Sequence, residues 1–144
     1  MSEKASDPHE QSDAAVRGKY HFLDVGAEKY GDCILVEFGR VRVLIDGSHE
    51  KDFAGQEGYL SVPDQLSQLF PNEQPPYRIT VMVVTHCHKD HVGALPKLVS
   101  EGVIDPEWAL LTDPKLGFGR SQDDSDAVDL SDERTRKLAA ALRE

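Results

Sequence analysis

The sequence predicts a mixed α/β (α+β) fold with a mostly antiparallel sheet and flanking helices. Short β-branched apolar runs separated by turn residues predict the strands. Segments with apolar residues at helical spacing predict the helices. A histidine-rich stretch lies where a strand gives way to a helix, and this junction is the candidate functional site. A chain of 144 residues is long enough for one small domain with a real core.

Charge and composition limit the classes of function. The formal net charge is −10, so a general basic surface for nucleic acid is excluded, although bound metal ions can supply positive charge locally. No apolar run approaches the ~20 residues of a membrane span, and the N-terminal residues lack a signal-peptide pattern. Two cysteines without a framework spacing favour a reducing compartment. We therefore expect a cytoplasmic protein.

The first part of the chain predicts an acidic tail followed by an antiparallel meander. Residues 1–18 are polar and predict a disordered or loosely held tail, and residues 19–112 form the structured domain. Apolar runs predict strands at residues 20–25, 33–38 and 41–45.

The second and third strands are joined by a two-residue turn. Gly39 and Arg40 are typical of a tight hairpin. Alternation along the third strand predicts that Val41, Val43 and Ile45 point inward and that Arg42 is exposed.

The later elements alternate helices with strands. Residues 49–58 predict a loop, and apolar spacing predicts a helix over 62–70. Nearly continuous apolar residues at 79–84 predict a strand covered on both faces. A helix over 92–101 follows, with Pro96 in its first turn and Gly102 as its stop.

The last part of the chain contains a turn, a strand, a loop and a helix. Asp105 and Pro106 predict a turn before a short strand at 108–111. An acidic loop is expected at 113–130, and residues 131–144 predict the start of a helix.

Residues 85–93 contain the candidate metal ligands. Three histidines and an aspartate fall within six residues: His86, His88, Asp90 and His91. Residues two apart on an extended segment point the same way, so His86 and His88 can reach one ion. Asp90 and His91 follow where the chain turns into a helix and can serve a second ion. Imidazole and carboxylate suit zinc, and also manganese or iron.

This Thr-His-x-His-x-Asp-His-x-Gly pattern resembles the metal motif of the metallo-β-lactamase superfamily. Residues 22–26, 31–36 and 44–47 resemble the opening strands of the same fold. Within the superfamily they most resemble the hydrolase domain of bacterial DNA-uptake competence proteins and their stand-alone relatives. The resemblance covers about residues 20–112, and residues 27–30 are an insertion relative to that branch.

The resemblance implies the N-terminal half of an αββα sandwich with metals at one edge. His86 and His88 would bind the first of two divalent ions, with zinc expected ahead of manganese or iron. Asp90 and His91 would bind the second ion, and Asp90 would also act in catalysis by orienting the bound water. Asp46 matches the family's first motif and would position the ligand loop without binding metal itself.

The family's remaining metal ligands have no counterpart here, because no histidine follows His91. We therefore expect a C-terminal half of the same fold, from the same gene product or a separate chain, and expect this chain alone to be inactive. The chain could be a piece of a longer polypeptide, one product of a cut in the acidic loop, or a split subunit. The implied activity is phosphodiester or nucleic-acid hydrolysis by a metal-bridged hydroxide. Ester, thioester or lactam hydrolysis is one alternative, and a non-catalytic binding or regulatory half-domain is another.

Overall fold

The computed structural model describes residues 17–26, 31–111, 133 and 135–142, and these form a five-stranded sheet with helices packed on one face. The strands, in chain order and in sheet order, are β1 (Gly18–Phe22), β2 (Ile34–Phe38), β3 (Val41–Ile45), β4 (Tyr77–Val84) and β5 (Ile104–Leu111). The helices are α1 (Val62–Leu69), α2 (Lys89–Val92) and α3 (Leu95–Ser100), with a 3₁₀ turn at Glu50–Phe53. The predicted mixed α/β fold is confirmed.

The sheet is antiparallel in its first half and parallel in its second. β1, β2 and β3 pair antiparallel, and Gly39 makes the predicted hairpin turn with φ of 60°. β4 pairs parallel with β3, and β5 pairs parallel with β4. The expectation of a mostly antiparallel sheet therefore holds only for the first three strands. The chain crosses back through α1 before β4 and through α2 and α3 before β5, and such crossovers make parallel neighbours.

The hydrophobic core lies between the helices and one sheet face. Leu35, Leu44 and Met82 supply that face, and each is fully buried. The helices contribute further fully buried side chains: Val62, Leu66, Leu95, Leu98 and Leu138. Each buried side chain of this size stabilises the fold by roughly 1.5–3 kcal/mol relative to exposure. The core therefore holds β4, which leads into the histidine motif, and α2, which carries Asp90 and His91, in a defined relation.

The opposite sheet face is apolar across all five strands. Residues paired in register point to the same side of a sheet, so the pairing defines two complete cross-strand rows. One row is Phe22, Ile34, Ile45, Val83 and Leu110, and the other is Tyr20, Val36, Val43, Val81 and Trp108. Phe22 is 75% exposed and Trp108 is 66% exposed. We call these ten residues the apolar face.

The prediction of which β3 side chains point into the core is wrong. Val41, Val43 and Ile45 lie on the side of the apolar face, whereas Leu44 enters the core. Arg42 is half-buried, because its guanidinium stacks 3.8 Å from the centre of the Phe70 ring. Each face of this strand carries apolar side chains, with Leu44 opposite Val43 and Ile45, so alternation alone does not identify the side that the helices cover.

Two other predictions about local structure need correction. Asp105 and Pro106 lie inside β5 rather than in a turn before it; β5 is an edge strand, where proline is tolerated. The single helix predicted over 92–101 is two helices, α2 and α3, separated at Gly93. Pro96 does fall in the first turn of α3, and Gly102 does follow it with φ of 67°.

The predicted C-terminal helix is present over residues 135–141, where Leu138 joins the core. The predicted tail lies outside the described residues up to residue 16, and the acidic loop at 113–130 lies outside them entirely. Among the described residues, none of the helices has the length and apolar character needed to cross a membrane.

Candidate metal centre

The histidine motif lies at the carboxyl end of β4, in the turn that leads into α2. β4 ends at Val84, and His88 precedes the first residue of α2 in an extended conformation, with φ of −71° and ψ of 152°. The His88 carbonyl accepts hydrogen bonds from the backbone N–H groups of His91 and Val92, both at 3.0 Å. The turn therefore changes from extended to helical backbone between His88 and Asp90.

The structure brings three of the four predicted ligands together. His86, Asp90 and His91 offer ligand atoms that all lie within 4.8 Å of one another. The rings of His86 and His91 are 3.6 Å apart between centroids. His88 is not part of this group, although its ring lies 4.8 Å from that of His86. The division into one ion at His86 and His88 and another at Asp90 and His91 stays a prediction.

Asp46 lies beneath the cluster and binds two parts of the motif. It is 2% exposed and follows the last residue of β3. Its carboxylate accepts hydrogen bonds from the backbone N–H of Thr85 at 2.8 Å and from the Thr85 hydroxyl at 2.6 Å. The same carboxylate lies 2.8 Å from Nδ1 of His91. The acidic residue that ends β3 thus contacts both the start of the motif and its last histidine.

These contacts determine which ring nitrogens are free. Asp46 only accepts, so Nδ1 of His91 donates to it and Nε2 of His91 is left available as a ligand. The single proton of the Thr85 hydroxyl goes to Asp46, so that oxygen accepts from Nδ1 of His86, which lies 3.1 Å away. Nε2 of His86 is then also available. One buried carboxylate therefore orients two imidazoles, one directly and one through Thr85.

Charge and burial also favour a neutral His86. Its partial burial lowers its pKa below the ordinary value, and the nearby His91 and His88 lower the pKa further. Asp46 and Asp90 oppose this shift. A neutral imidazole is the form that binds a metal ion.

The turn after β3 adopts a backbone conformation that is rare for its residues. Asp46 and Ser48 have φ of 57° and 53°, in the left-handed region, which costs about 1 kcal/mol or more for each residue that is not glycine. Gly47 donates its N–H to the His91 carbonyl at 2.5 Å. A Cβ at Gly93 would collide with the Ser48 carbonyl, so the two backbones lie in direct contact. This turn is therefore packed against the ligand-bearing helix along its whole length.

Two acidic residues near the site were not nominated from the sequence. The Asp32 carboxylate lies 4.0 Å from Nδ1 of His91 and belongs to a second group of nearby ligand atoms, with Asp46 and His91. Asp52 is 3% exposed and lies in the 3₁₀ turn that follows Asp46. The Gly-Asp pair at 31–32 and the polar stretch at 49–58 look like loop sequence, so only the tertiary structure brings them to the site.

The cysteines are thiols rather than a disulfide. Cys33 and Cys87 are both buried, and neither forms a disulfide among the described residues. Burial raises the pKa of the Cys33 thiol to about 12, with smaller contributions from Asp46, Asp52 and Asp32, so Cys33 stays protonated at neutral pH. Within the motif, Cys87 is buried and Lys89 is exposed.

The donor set fits a divalent cation. Ligand atoms around a tetrahedral zinc ion lie ~2.1 Å from it, and so roughly 3.4 Å from one another. The ligand atoms of His86, Asp90 and His91 all lie within 4.8 Å of one another, so small side-chain rotations are enough to reach that spacing. Metal-bound histidines almost always donate their other ring N–H to a carboxylate or carbonyl, and the contact of His91 with Asp46 has this form.

A mixed α/β domain with a histidine and aspartate cluster at the end of a central strand defines a class of metal-binding proteins. The comparison with family models identifies which one. Residues 26–135 match the model described as the metallo-beta-lactamase superfamily. The chain belongs to this superfamily of metal-dependent hydrolases. The comparison with curated proteins gave no match.

Proposed function

We propose that this chain supplies the metal-binding half of a two-metal hydrolase that cleaves phosphodiesters, with nucleic acid as the substrate class. The observation that carries the proposal is the arrangement of Asp46 with His86 and His91, which leaves the Nε2 atoms of both histidines available beside Asp90. Two divalent ions, zinc first and manganese or iron as alternatives, would supply the Lewis acidity that activates water and stabilises a displaced oxyanion.

The residues of this chain contribute positioning and charge. His86 and His88 are the proposed ligands of one ion, and Asp90 and His91 of the other. Asp90 is 30% exposed on its side chain and its Oδ2 atom lies 3.6 Å from Nε2 of His91, so its carboxylate would also orient the attacking water. Asp46 keeps the ligand loop in register with β3 through Thr85.

The choice of phosphodiester rests on the resemblance of the opening strands to the hydrolase domain of competence proteins and their stand-alone relatives. The same centre can hydrolyse esters, thioesters or lactams, because neither the metal nor the fold determines the substrate. The net charge of −10 makes the metal ions the source of positive charge for a phosphate group within this half of the site.

The apolar face supports the second part of the proposal, that a C-terminal half of the same fold covers this sheet. The face has no charged side chain in either of its two complete rows. Contiguous exposed apolar surface of this kind marks an interaction site in soluble proteins. The partner half would also supply the metal ligands that residues 92–144 lack, since no histidine occurs there. The two buried cysteines, neither of them in a disulfide among the described residues, support the cytoplasm as the compartment.

Hydrolysis and metal content test the proposal in the complete assembly. We expect about two ions per assembly and cleavage of bis(p-nitrophenyl) phosphate. His86→Ala with His88→Ala should reduce cleavage to background and release metal. His21→Ala is the matched control, because His21 on β1 pairs with Glu37 on β2 at 2.9 Å, away from the motif.

Other results would select a different function. Unchanged phosphodiesterase activity in the double variant rules out the assignment of these histidines. Cleavage of p-nitrophenyl acetate or a β-lactam without phosphodiesterase activity selects the ester or lactam alternative. Substoichiometric, weakly held metal and no hydrolysis of any probe would select the non-catalytic binding or regulatory module.

A further inference from the structure

The turn at 46–48 holds two residues in the left-handed region, and something must keep it there. The contacts around it converge on one buried carboxylate. Asp52 accepts a hydrogen bond from the Ser48 hydroxyl at 2.6 Å and from the His49 backbone N–H at 3.1 Å. Both donors belong to the residues directly after Asp46 and Gly47.

The other carboxylate oxygen of Asp52 faces away from this turn, toward Gly26 and Gln56. It accepts from the Gly26 backbone N–H at 3.4 Å and from the side-chain amide of Gln56. Burial by itself would raise the pKa of Asp52, but the hydrogen bonds from Ser48, Gln56, His49 and Gly26 outweigh burial and lower it. The carboxylate thus connects the turn at 46–49 to the segment that follows β1.

We infer that Asp52 is a positioning residue for the metal centre: by holding Ser48 and His49, it keeps Asp46 directed at Thr85 and His91. The inference rests on the proposed function, because the centre that is positioned is the proposed two-metal site. The path is short and continuous. Asp52 binds Ser48, and Ser48 donates its N–H to the Asp32 carbonyl at 2.8 Å. Gly47, between Ser48 and Asp46, donates to the His91 carbonyl.

The position of Asp52 explains why a carboxylate is needed. Four donors converge on its two oxygens, and two of them are backbone N–H groups that cannot rotate away. An asparagine at 52 would direct an NH₂ group at either the Ser48 and His49 donors or the Gly26 and Gln56 donors. Asp52→Asn therefore loosens the turn while it keeps the size of the side chain.

The test compares Asp52→Asn and Ser48→Ala with the wild type, and uses Asp64→Asn as the matched control. Asp64 accepts from the Ser61 hydroxyl at 2.7 Å in the first turn of α1, so its variant makes the same carboxylate-to-amide change at another serine contact, away from the site. The first readout is the ¹⁵N NMR spectrum of the His91 ring in the metal-free chain, which reports its tautomer. The second is zinc affinity, measured by competition with a chromophoric chelator.

We expect Asp52→Asn to weaken zinc binding about tenfold and to broaden or shift the His91 ring signals. Ser48→Ala should change both readouts in the same direction, and the double variant should be no worse than Asp52→Asn, because the two residues act through one contact. Asp64→Asn should leave both readouts unchanged while it lowers stability.

Wild-type zinc affinity and wild-type His91 signals in folded Asp52→Asn would overturn the inference. If Asp52→Asn does not fold, the same result in Ser48→Ala, which removes one of four contacts, overturns it. The proposed function fails separately, if the complete assembly binds no zinc or cleaves no phosphodiester, and the NMR readout of the metal-free chain does not depend on that outcome.

Discussion

At the scale of single residues, the site depends on a buried acceptor rather than on the ligands alone. Asp46 accepts three hydrogen bonds, two from Thr85 and one from His91, and is almost fully buried. Ligands on a turn of mixed extended and helical backbone need such a common partner, because their own backbone does not hold the rings in one orientation.

Asp46→Asn tests this role without disturbing the backbone. Asparagine tolerates the left-handed conformation that Asp46 adopts with φ of 57°, so the change isolates the carboxylate. The three hydrogen bonds reach both carboxylate oxygens, and an asparagine would turn one of these oxygens into an NH₂ group that cannot accept, so zinc affinity should fall by about 10–100-fold. Isothermal titration of the metal-free protein measures this loss. Asp105→Asn on the edge strand is the control, and equal affinities in the two variants would contradict the prediction.

At the scale of elements, the site depends on direct contact between the backbone of the turn after β3 and the backbone at the end of α2. The turn after β3 and the end of α2 meet through the Gly47 N–H and the absent side chain of Gly93. The Ala94 N–H also donates to the Gly47 carbonyl at 3.2 Å. These contacts leave no room for a side chain between β3 and the ligand helix.

Gly93→Ala should therefore destabilise the protein and disturb the metal site together. The added Cβ would meet the Ser48 carbonyl and the backbone of His49 and Glu50, none of which can rotate away. We expect a loss of about 2 kcal/mol or more, measured by urea denaturation. Gly102→Ala is the comparison: Gly102 has φ of 67° and open space around its Cβ position, so it should lose roughly 1 kcal/mol. A smaller loss at Gly93 than at Gly102 would show that the two backbones separate easily.

The elements also show how far the sequence could predict the structure. Local patterns correctly indicated the hairpin at Gly39, the helix from Val62 and the strand that leads into the motif. The sequence also placed three candidate ligands that the structure brings together. It could not indicate Asp52, because a buried aspartate in a polar loop differs from an exposed one only in its tertiary partners. Whether β4 pairs parallel or antiparallel with β3 likewise depends on where α1 packs, and no local sequence pattern specifies that.

At the scale of the whole molecule, the two sheet faces differ in what covers them among the described residues. Helices cover the face that contains Leu35, Leu44 and Met82, and these residues are fully buried. The side chains of the apolar face are just as apolar, but no helix covers them among the described residues. Tyr20 is 63% exposed and Phe22 is 75% exposed. Because strands with apolar side chains on both faces are typical of a sheet covered on both sides, the composition of β2 to β4 suits a layered structure larger than the described part of the chain.

The fluorescence of Trp108 can report binding of the proposed C-terminal half. It is the single tryptophan of the sequence, it lies on the apolar face, and it is 66% exposed. In the chain alone we expect red-shifted emission and strong quenching by acrylamide. Addition of the C-terminal half should shift the emission to the blue and protect the indole, because a second sheet would bury it. Phe22→Lys, in the neighbouring row, should weaken this assembly, whereas Lys51→Glu on the 3₁₀ turn should not. A complete assembly that hydrolyses its substrate while Trp108 stays fully quenchable would show that the second half binds elsewhere.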